Sequence, residues 1–164
     1  FLEKYRKWTG VLIEPDERQF NKLVVNRPNS KCYNYVISTI DDSVEFNLKA
    51  ESQCNTIKGL PDGGNSPIAT KIYPTKKMSE ILHDAKINHI DFFCVDVEGA
   101  EEQVFKTMDF DIPIHIILAE ISATHELSGP KNTRCRTLLK EQGFVYHSTI
   151  EYDEIWINPN YSIE

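Results

Sequence analysis

The sequence has no hydrophobic run long enough to cross a membrane. Its longest strongly apolar stretch covers residues 112–121 and contains Pro113, His115 and Glu120. A membrane-spanning helix needs about 20 mostly apolar residues, so this stretch is too short and too polar. A signal peptide and a basic targeting run are also absent from the sequence. We therefore expect no membrane segment within this chain, while an upstream anchor is compatible with it.

Positive charge is in short supply. Lys and Arg number 18 against 25 Asp and Glu, which gives a formal net charge of −7. Proteins that bind nucleic acids or anionic membranes through general electrostatics carry an excess of basic residues. The composition therefore argues against a nucleic-acid partner, and it makes polyanionic substrates a poor match.

Cysteine is scarce and never closely spaced. The four cysteines are Cys32, Cys54, Cys94 and Cys135, and no two of them have the spacing of a zinc finger. We interpret most of them as small buried hydrophobic residues. Because their number is even, one or two disulfides remain an alternative in an oxidising compartment.

The chain has the length and pattern of one α/β domain. It has 164 residues, of which 40% are hydrophobic, and short apolar strands alternate with helical patterns. Strands are predicted at residues 11–13, 33–39, 44–48, 72–73, 90–97, 114–121, 144–150 and 154–158. Residues 90–97 and 114–121 are dense enough in apolar residues to be central strands. The last two strands follow each other too closely for a crossover helix and should be antiparallel. This order predicts a doubly wound, mostly parallel sheet with one antiparallel strand near its edge.

Residues 51–67 interrupt this alternation. The segment is polar, rich in turn-forming residues and without a hydrophobic period. Long connections of this kind are often functional. We therefore predict a flexible loop or lid here, which would help to select the substrate.

Carboxylates occur where predicted strands end, which is where ligands bind in doubly wound sheets. Glu14 follows the first strand and suits the two hydroxyls of a ribose, although a helix N-terminal charge is the alternative. Asp96 and Glu98 end a central strand, and alternation points both side chains the same way. Gly99 then allows a close turn into the next helix. Two adjacent acids favour a raised pKa or a bound cation.

Three further residues are candidates of the same kind. Glu120 ends the next strand, and His125 follows it in a loop. His125 would serve as a general base near pH 7, with an ordinary surface histidine as the alternative. Ser38 closes another predicted strand and would either contact a base edge or cap the turn.

Four segments of the chain resemble FkbM-type methyltransferases, especially the Star-like animal branch. The resemblance covers roughly residues 1–158 and is carried by residues 8–15, the Asn26-Arg27 pair, residues 90–101 and residues 152–158. Its most specific elements are Ile13-Glu14-Pro15 and Asp96-Val97-Glu98-Gly99-Ala100-Glu101, which together at this spacing are distinctive.

This resemblance implies a class I, Rossmann-like methyltransferase that uses S-adenosylmethionine, usually to methylate an oxygen. The acceptor would be a small molecule or a glycan. Glu14 would hold the ribose hydroxyls, and Pro15 and Ser38 would flank the adenine. Asp96 would lie near the methionine end of the cofactor and Glu98 beside the transferred methyl group. The resemblance leaves the general base open among Asp96, Glu98 and His125, and it assigns no metal.

The sequence departs from the family at its start. Family members carry a first strand and an Asp-x-Gly-x-x-x-Gly-like turn before the first helix, whereas Phe1 already lies in that helix. We therefore expect one domain over residues 1–164 whose N-terminal strand is missing. The main alternative is a non-catalytic interaction or trafficking module of the secretory pathway, as opposed to a cytoplasmic enzyme. A third interpretation, a nucleotide-sugar transferase with a metal at Asp96 and Glu98, lacks a second ligand cluster.

Overall fold

A computed structural model describes residues 2–60, 66–121 and 129–161. Five α-helices are described: α1 (Leu2–Arg6), α2 (Glu17–Asn26), α3 (Met78–Asp84), α4 (Glu101–Thr107) and α5 (Gly129–Glu141). Ten strands are described: β1 (Val11–Ile13), β2 (Lys31–Tyr33), β3 (Val36–Ile37), β4 (Ser43–Leu48), β5 (Thr56–Ile57), β6 (Ala69–Lys76), β7 (Ile90–Val95), β8 (Ile114–Ala119), β9 (Val145–Ile150) and β10 (Asp153–Ile157). None of these helices is long and apolar enough to cross a membrane.

The described strands form three sheets, two of them mixed. Their orders are β1-β2, β7-β8-β10-β9 and β3-β6-β4-β5. Parallel pairing joins β1 to β2, β3 to β6 and β7 to β8, while the other four pairs are antiparallel. The prediction of one doubly wound, mostly parallel sheet is therefore wrong. The predicted antiparallel pairing at the end of the chain, β9 with β10, is confirmed.

The connection between β4 and β6 explains much of this difference. Antiparallel strands can be joined without a crossover helix, whereas parallel ones require it. The described part of segment 51–67 contains a short 3-10 helix, Ser52–Cys54, and β5, and residues 61–65 lie outside the described residues. β6 accordingly runs back along the whole of β4, from Leu48↔Ala69 to Ser43↔Pro74. Periodicity predicted only two residues of this eight-residue strand.

β8 is a central strand, as predicted, whereas β7 is an edge strand of its sheet. β8 lies between β7 and β10, and Ile114, Ile117 and Ala119 are at most 1% exposed. β7 pairs with β8 alone, and Phe92 on it is 40% exposed. The expectation that β7 would also be central is wrong, because none of the described strands covers its outer edge.

Two hydrophobic clusters form the interior. One packs the β7–β8–β10–β9 sheet against α3, α4 and α5, and the other lies under the β3–β6–β4–β5 sheet. Val97 packs against both clusters. The turn between β7 and α4, which carries the predicted acidic residues, therefore lies where the two clusters meet.

Candidate functional site

The edge strands β1 and β7 line one large cleft. Its volume is about 1040 Å³. Glu14, Pro15, Asp96 and Glu98 all contribute to its walls. The structure thus brings together four of the predicted site residues that the sequence separates by about eighty positions.

The chain around Glu14 is held by backbone and side-chain hydrogen bonds. Its N–H donates to the carbonyl of Tyr33 at 3.0 Å, and the Asn34 amide donates to the carbonyls of both Glu14 and Pro15 at 2.8 Å. The Glu14 Oε1 atom accepts from the N–H of Asp16 at 2.8 Å. Burial raises the pKa of this carboxyl. No hydrogen bond within the described residues engages Oε2, so this oxygen is available to a ligand in the cleft.

Asp96, Glu98 and Glu120 form an acidic trio at the adjacent ends of β7 and β8. Each contributes a carboxylate oxygen, and these atoms all lie within 4.8 Å of one another. The parallel register that pairs Val95 with Ala119 explains this meeting, since both strands end at the same edge. Carboxylate oxygens suit ions such as Mg²⁺ and Mn²⁺, and the same arrangement also holds a proton between like charges.

Protons bind this trio more tightly than ordinary carboxylates. Burial, together with the charges of Asp96 and Glu98, raises the pKa of Glu120 to about 7. Burial and the charge of Asp96 also raise the pKa of Glu98. The trio therefore exchanges a proton near neutral pH, which is the range in which a general base works best.

A buried carboxylate fixes the turn that carries Glu98. Glu98 and Gly99 have left-handed backbone angles, with φ of 50° and 95°. Glu101, which is fully buried, accepts from the N–H of Gly99 at 3.1 Å and from that of Val97 at 3.4 Å. Its other oxygen pairs with Lys131 of α5. Glycine at 99 is favoured because it adopts this angle without strain.

Two predicted residues are placed differently. Ser38 is 1% exposed and lines a separate cavity of about 460 Å³. Its hydroxyl accepts from the N–H of Ile40 at 3.0 Å and donates to Gln103 Oε1 at 3.3 Å, which is the turn-capping alternative. Its contact with adenine stays a prediction. His125 lies outside the described residues, so its role also stays a prediction.

Sequence reasoning assigned no role to several residues that shape this site. Asn34, Glu101 and Lys131 hold its turns, and only their three-dimensional partners show this. Asp153 begins β10, and burial together with the charge of Asp96 raises its pKa. Because β10 is antiparallel to β8, its first residue lies at the edge where β8 ends, and the predicted hairpin could have indicated it.

Residues 1–146 match the family model described as the methyltransferase FkbM domain. Neither the curated proteins nor the solved structures contain a significant match to the chain. The matched range includes the Glu14 turn, the whole acidic trio and Glu101. The chain therefore belongs to the FkbM methyltransferase domain family.

Proposed function

We propose that this chain binds S-adenosylmethionine in the β1–β7 cleft and catalyses methyl transfer to an oxygen of a small-molecule or glycan acceptor. Membership of the FkbM family supports methyl transfer in general. The observation that carries the finer proposal is that Glu14 and the acidic trio are held at the same cleft.

The residues of the cleft fit the chemistry of this cofactor. A ribose offers two hydroxyl donors, and Glu14 has an acceptor oxygen available at the end of β1. The cofactor also carries a sulfonium and an ammonium group, and both are favoured next to the carboxylates of Asp96 and Glu98. Ligand pockets commonly have volumes of about 300–1,000 Å³, and this cleft lies at the upper end of that range.

When bound, S-adenosylmethionine supplies an electrophilic methyl group on sulfur. The protein then has to align the acceptor oxygen for an in-line displacement and to take up its proton. Glu14 orients the ribose and Asp96 the methionine end, so that Glu98 lies beside the reacting groups. Glu120 accepts the proton, because burial and neighbouring charges hold its pKa at about 7.

Substitution of Glu14 by Gln tests the ribose contact. Losing a hydrogen bond to a charged group costs about 1.5–3 kcal/mol, so we expect Glu14→Gln to weaken cofactor binding by roughly 10- to 100-fold. Isothermal titration calorimetry on the full-length protein measures this affinity. Glu17→Gln, an exposed carboxyl in the first turn of α2, is the matched control and should leave the affinity unchanged.

The two ways in which this experiment fails have different meanings. If Glu14→Gln binds as tightly as the wild type, Glu14 does not hold the ribose. If the wild-type full-length protein binds no S-adenosylmethionine, the enzymatic proposal is contradicted and the non-catalytic interaction module is favoured.

A further inference from the structure

Two adjacent buried side chains of one segment contact the two sides of the cleft. Asn55, which is 8% exposed, accepts from the N–H of Lys49 at 2.7 Å and donates to Asp16 Oδ2 at 2.9 Å. Thr56, which is 1% exposed, donates its hydroxyl to the carbonyl of Glu98 at 2.8 Å. Successive residues of an extended chain point in opposite directions, so one short segment reaches both partners.

The contact of Asn55 acts on Glu14 through Asp16. Asp16 is 1% exposed and is the N-cap of α2, and its N–H is the donor that holds Glu14 Oε1. Moving Asp16 would therefore turn the Glu14 carboxylate. A second link, from the Gln19 amide to the Ser52 hydroxyl at 2.6 Å, joins α2 to the same segment.

The contact of Thr56 acts on Glu98 directly. Glu98 adopts a left-handed backbone with φ of 50°, which costs a residue with a side chain about 1–2 kcal/mol. Such a conformation persists only where surrounding contacts impose it. The Thr56 hydroxyl is one of these contacts, and β5 is itself paired with β4 through Asn47↔Thr56.

We propose that Asn55 and Thr56 are positioning residues that together set the separation between Glu14 and Glu98. This inference rests on the proposed function, because the separation matters only for a ligand that spans both carboxylates. Asn55 fixes the ribose end of the site and Thr56 the methyl-donating end. The segment predicted as a lid thus contains, in its described part, a buried spacer of the cofactor site.

Two ligands of different length distinguish the two roles. Adenosine reaches only the Glu14 side, whereas S-adenosylmethionine spans both. We expect Thr56→Val to weaken binding of S-adenosylmethionine by about 3- to 10-fold, the effect of one lost hydrogen bond, with adenosine binding unchanged. Thr56→Ser keeps the hydroxyl and should restore the affinity. Asn55→Ala should weaken both ligands by the same factor. Calorimetry on the full-length protein measures all four.

Thr70→Val is the matched control for the loss of a threonine hydroxyl. Thr70 lies in β6 and donates to Asn47 Oδ1 at 2.8 Å on the exposed side of the same sheet. It should change neither affinity. If Asn55→Ala does not fold, Gln19→Ala removes the second link and should also weaken both ligands equally. Equal losses of adenosine and S-adenosylmethionine in Thr56→Val would overturn the proposal, as would no loss at all.

A measurement without cofactor separates this inference from the proposed function. Carboxyl carbon NMR reports the titration of Glu120, whose pKa depends on the charge of Glu98. Thr56→Val should shift its midpoint and Thr70→Val should not. A folded Thr56→Val protein with an unshifted midpoint would refute the positioning role. Wild-type protein that binds neither ligand would refute the proposed function, and the titration would still decide the role of Thr56.

Discussion

Glu120 differs most from an ordinary carboxylic acid among the residues at this site. It follows the central strand β8, and its neighbours Asp96 and Glu98 come from the adjacent strand end. Burial removes water that would stabilise its charge, and the two neighbouring carboxylates oppose ionisation further. The residue is therefore suited to accept a proton, at the expense of folding stability when it is ionised.

That expense predicts a pH-dependent effect of Glu120→Gln. Since the folded-state pKa of Glu120 is raised from 4.5 to about 7, the folded protein binds more protons than the unfolded chain between these values. The contribution of Glu120 to stability is thus complete below about pH 4.5 and is lost as the pH rises through about 7. We expect Glu120→Gln to raise the melting temperature at pH 8 and to change it little at pH 5. Thermal unfolding monitored by circular dichroism measures both.

Glu141→Gln, an exposed carboxyl at the end of α5, serves as the control for this measurement. It should follow the wild-type pH profile. Because the pKa values of Glu14 and Glu98 are raised as well, Glu120→Gln should flatten the profile only in part. A wild-type protein whose melting temperature rises from pH 5 to pH 8 would contradict the charge balance described for the trio.

The individual site residues were predictable to different degrees. Glu14, Asp96 and Glu98 follow apolar strands directly, and strand ends mark ligand sites in α/β folds, so the sequence indicates them. The pKa of Glu120 was not predictable, because it depends on a neighbouring strand's carboxylates at a distance that only the register defines. The capping of Ile40 by Ser38 was one of two alternatives, and the sequence contains nothing that decides between them.

At the scale of elements, α4 and α5 are joined by two ion pairs of very different burial. Glu101 is fully buried and pairs with Lys131, while Glu102 pairs with Arg134 at 2.6 Å and Lys106 at 2.8 Å. Hydrogen bonds from Arg134 lower the pKa of Glu102 to about 2. Both glutamates lie in the first turn of α4, where the helix dipole favours negative charge. They therefore form a matched pair for measuring the effect of burial.

Glu101→Gln should destabilise the protein far more than Glu102→Gln does. Removing one partner of a buried ion pair costs about 3–5 kcal/mol, because the other charge is left in the interior. Both cations that pair with Glu102 are more than half exposed, at 57% and 54%, and an exposed pair contributes about 1 kcal/mol or less. Chemical denaturation at pH 7 measures both losses. Similar losses for the two variants would show that burial does not control the strength of the Glu101 pair.

The two losses should also differ in their dependence on pH. The contribution of Glu102 is present above about pH 4.5 and disappears as the pH falls toward about 2, because its folded-state pKa is lowered. The loss in Glu102→Gln should therefore vanish in acid. Glu101 additionally holds the N–H groups of Val97 and Gly99, so Glu101→Gln should disturb the acidic trio as well as the stability.

Local patterns predicted the elements better than they predicted their pairing. Alternation placed β4 correctly, and the Gly143 turn marked the end of α5. The predicted strand at residues 33–39 is instead β2 and β3 in two different sheets. The Asn34 side chain explains the break, since it donates to the carbonyls of Glu14 and Pro15 in the neighbouring turn. A long-range side-chain contact of this kind has no local sequence signal.

At the scale of the whole molecule, the site lies where separately stabilised parts meet. Val97 contacts both hydrophobic clusters, and β1 and β7 belong to different sheets that face one cleft. The strands differ sharply in support. β8 is paired on both edges and contains fully buried residues, whereas β1 is three residues long, half-buried and paired only with β2. Stability should therefore be uneven across the fold.

Hydrogen exchange measured by mass spectrometry tests this unevenness. We expect the amides of β1 to exchange through local opening, much faster than those of β8, which require global unfolding. If S-adenosylmethionine binds at Glu14, it stabilises the closed form of β1, so its addition should slow exchange there. β9 is the internal control, because it lies at the opposite edge of the sheet from β7 and should be unaffected. Equal exchange in β1 and β8 would instead mean that both unfold as one cooperative unit. The two halves of the cleft would then be held together more firmly than the three-residue pairing of β1 with β2 implies.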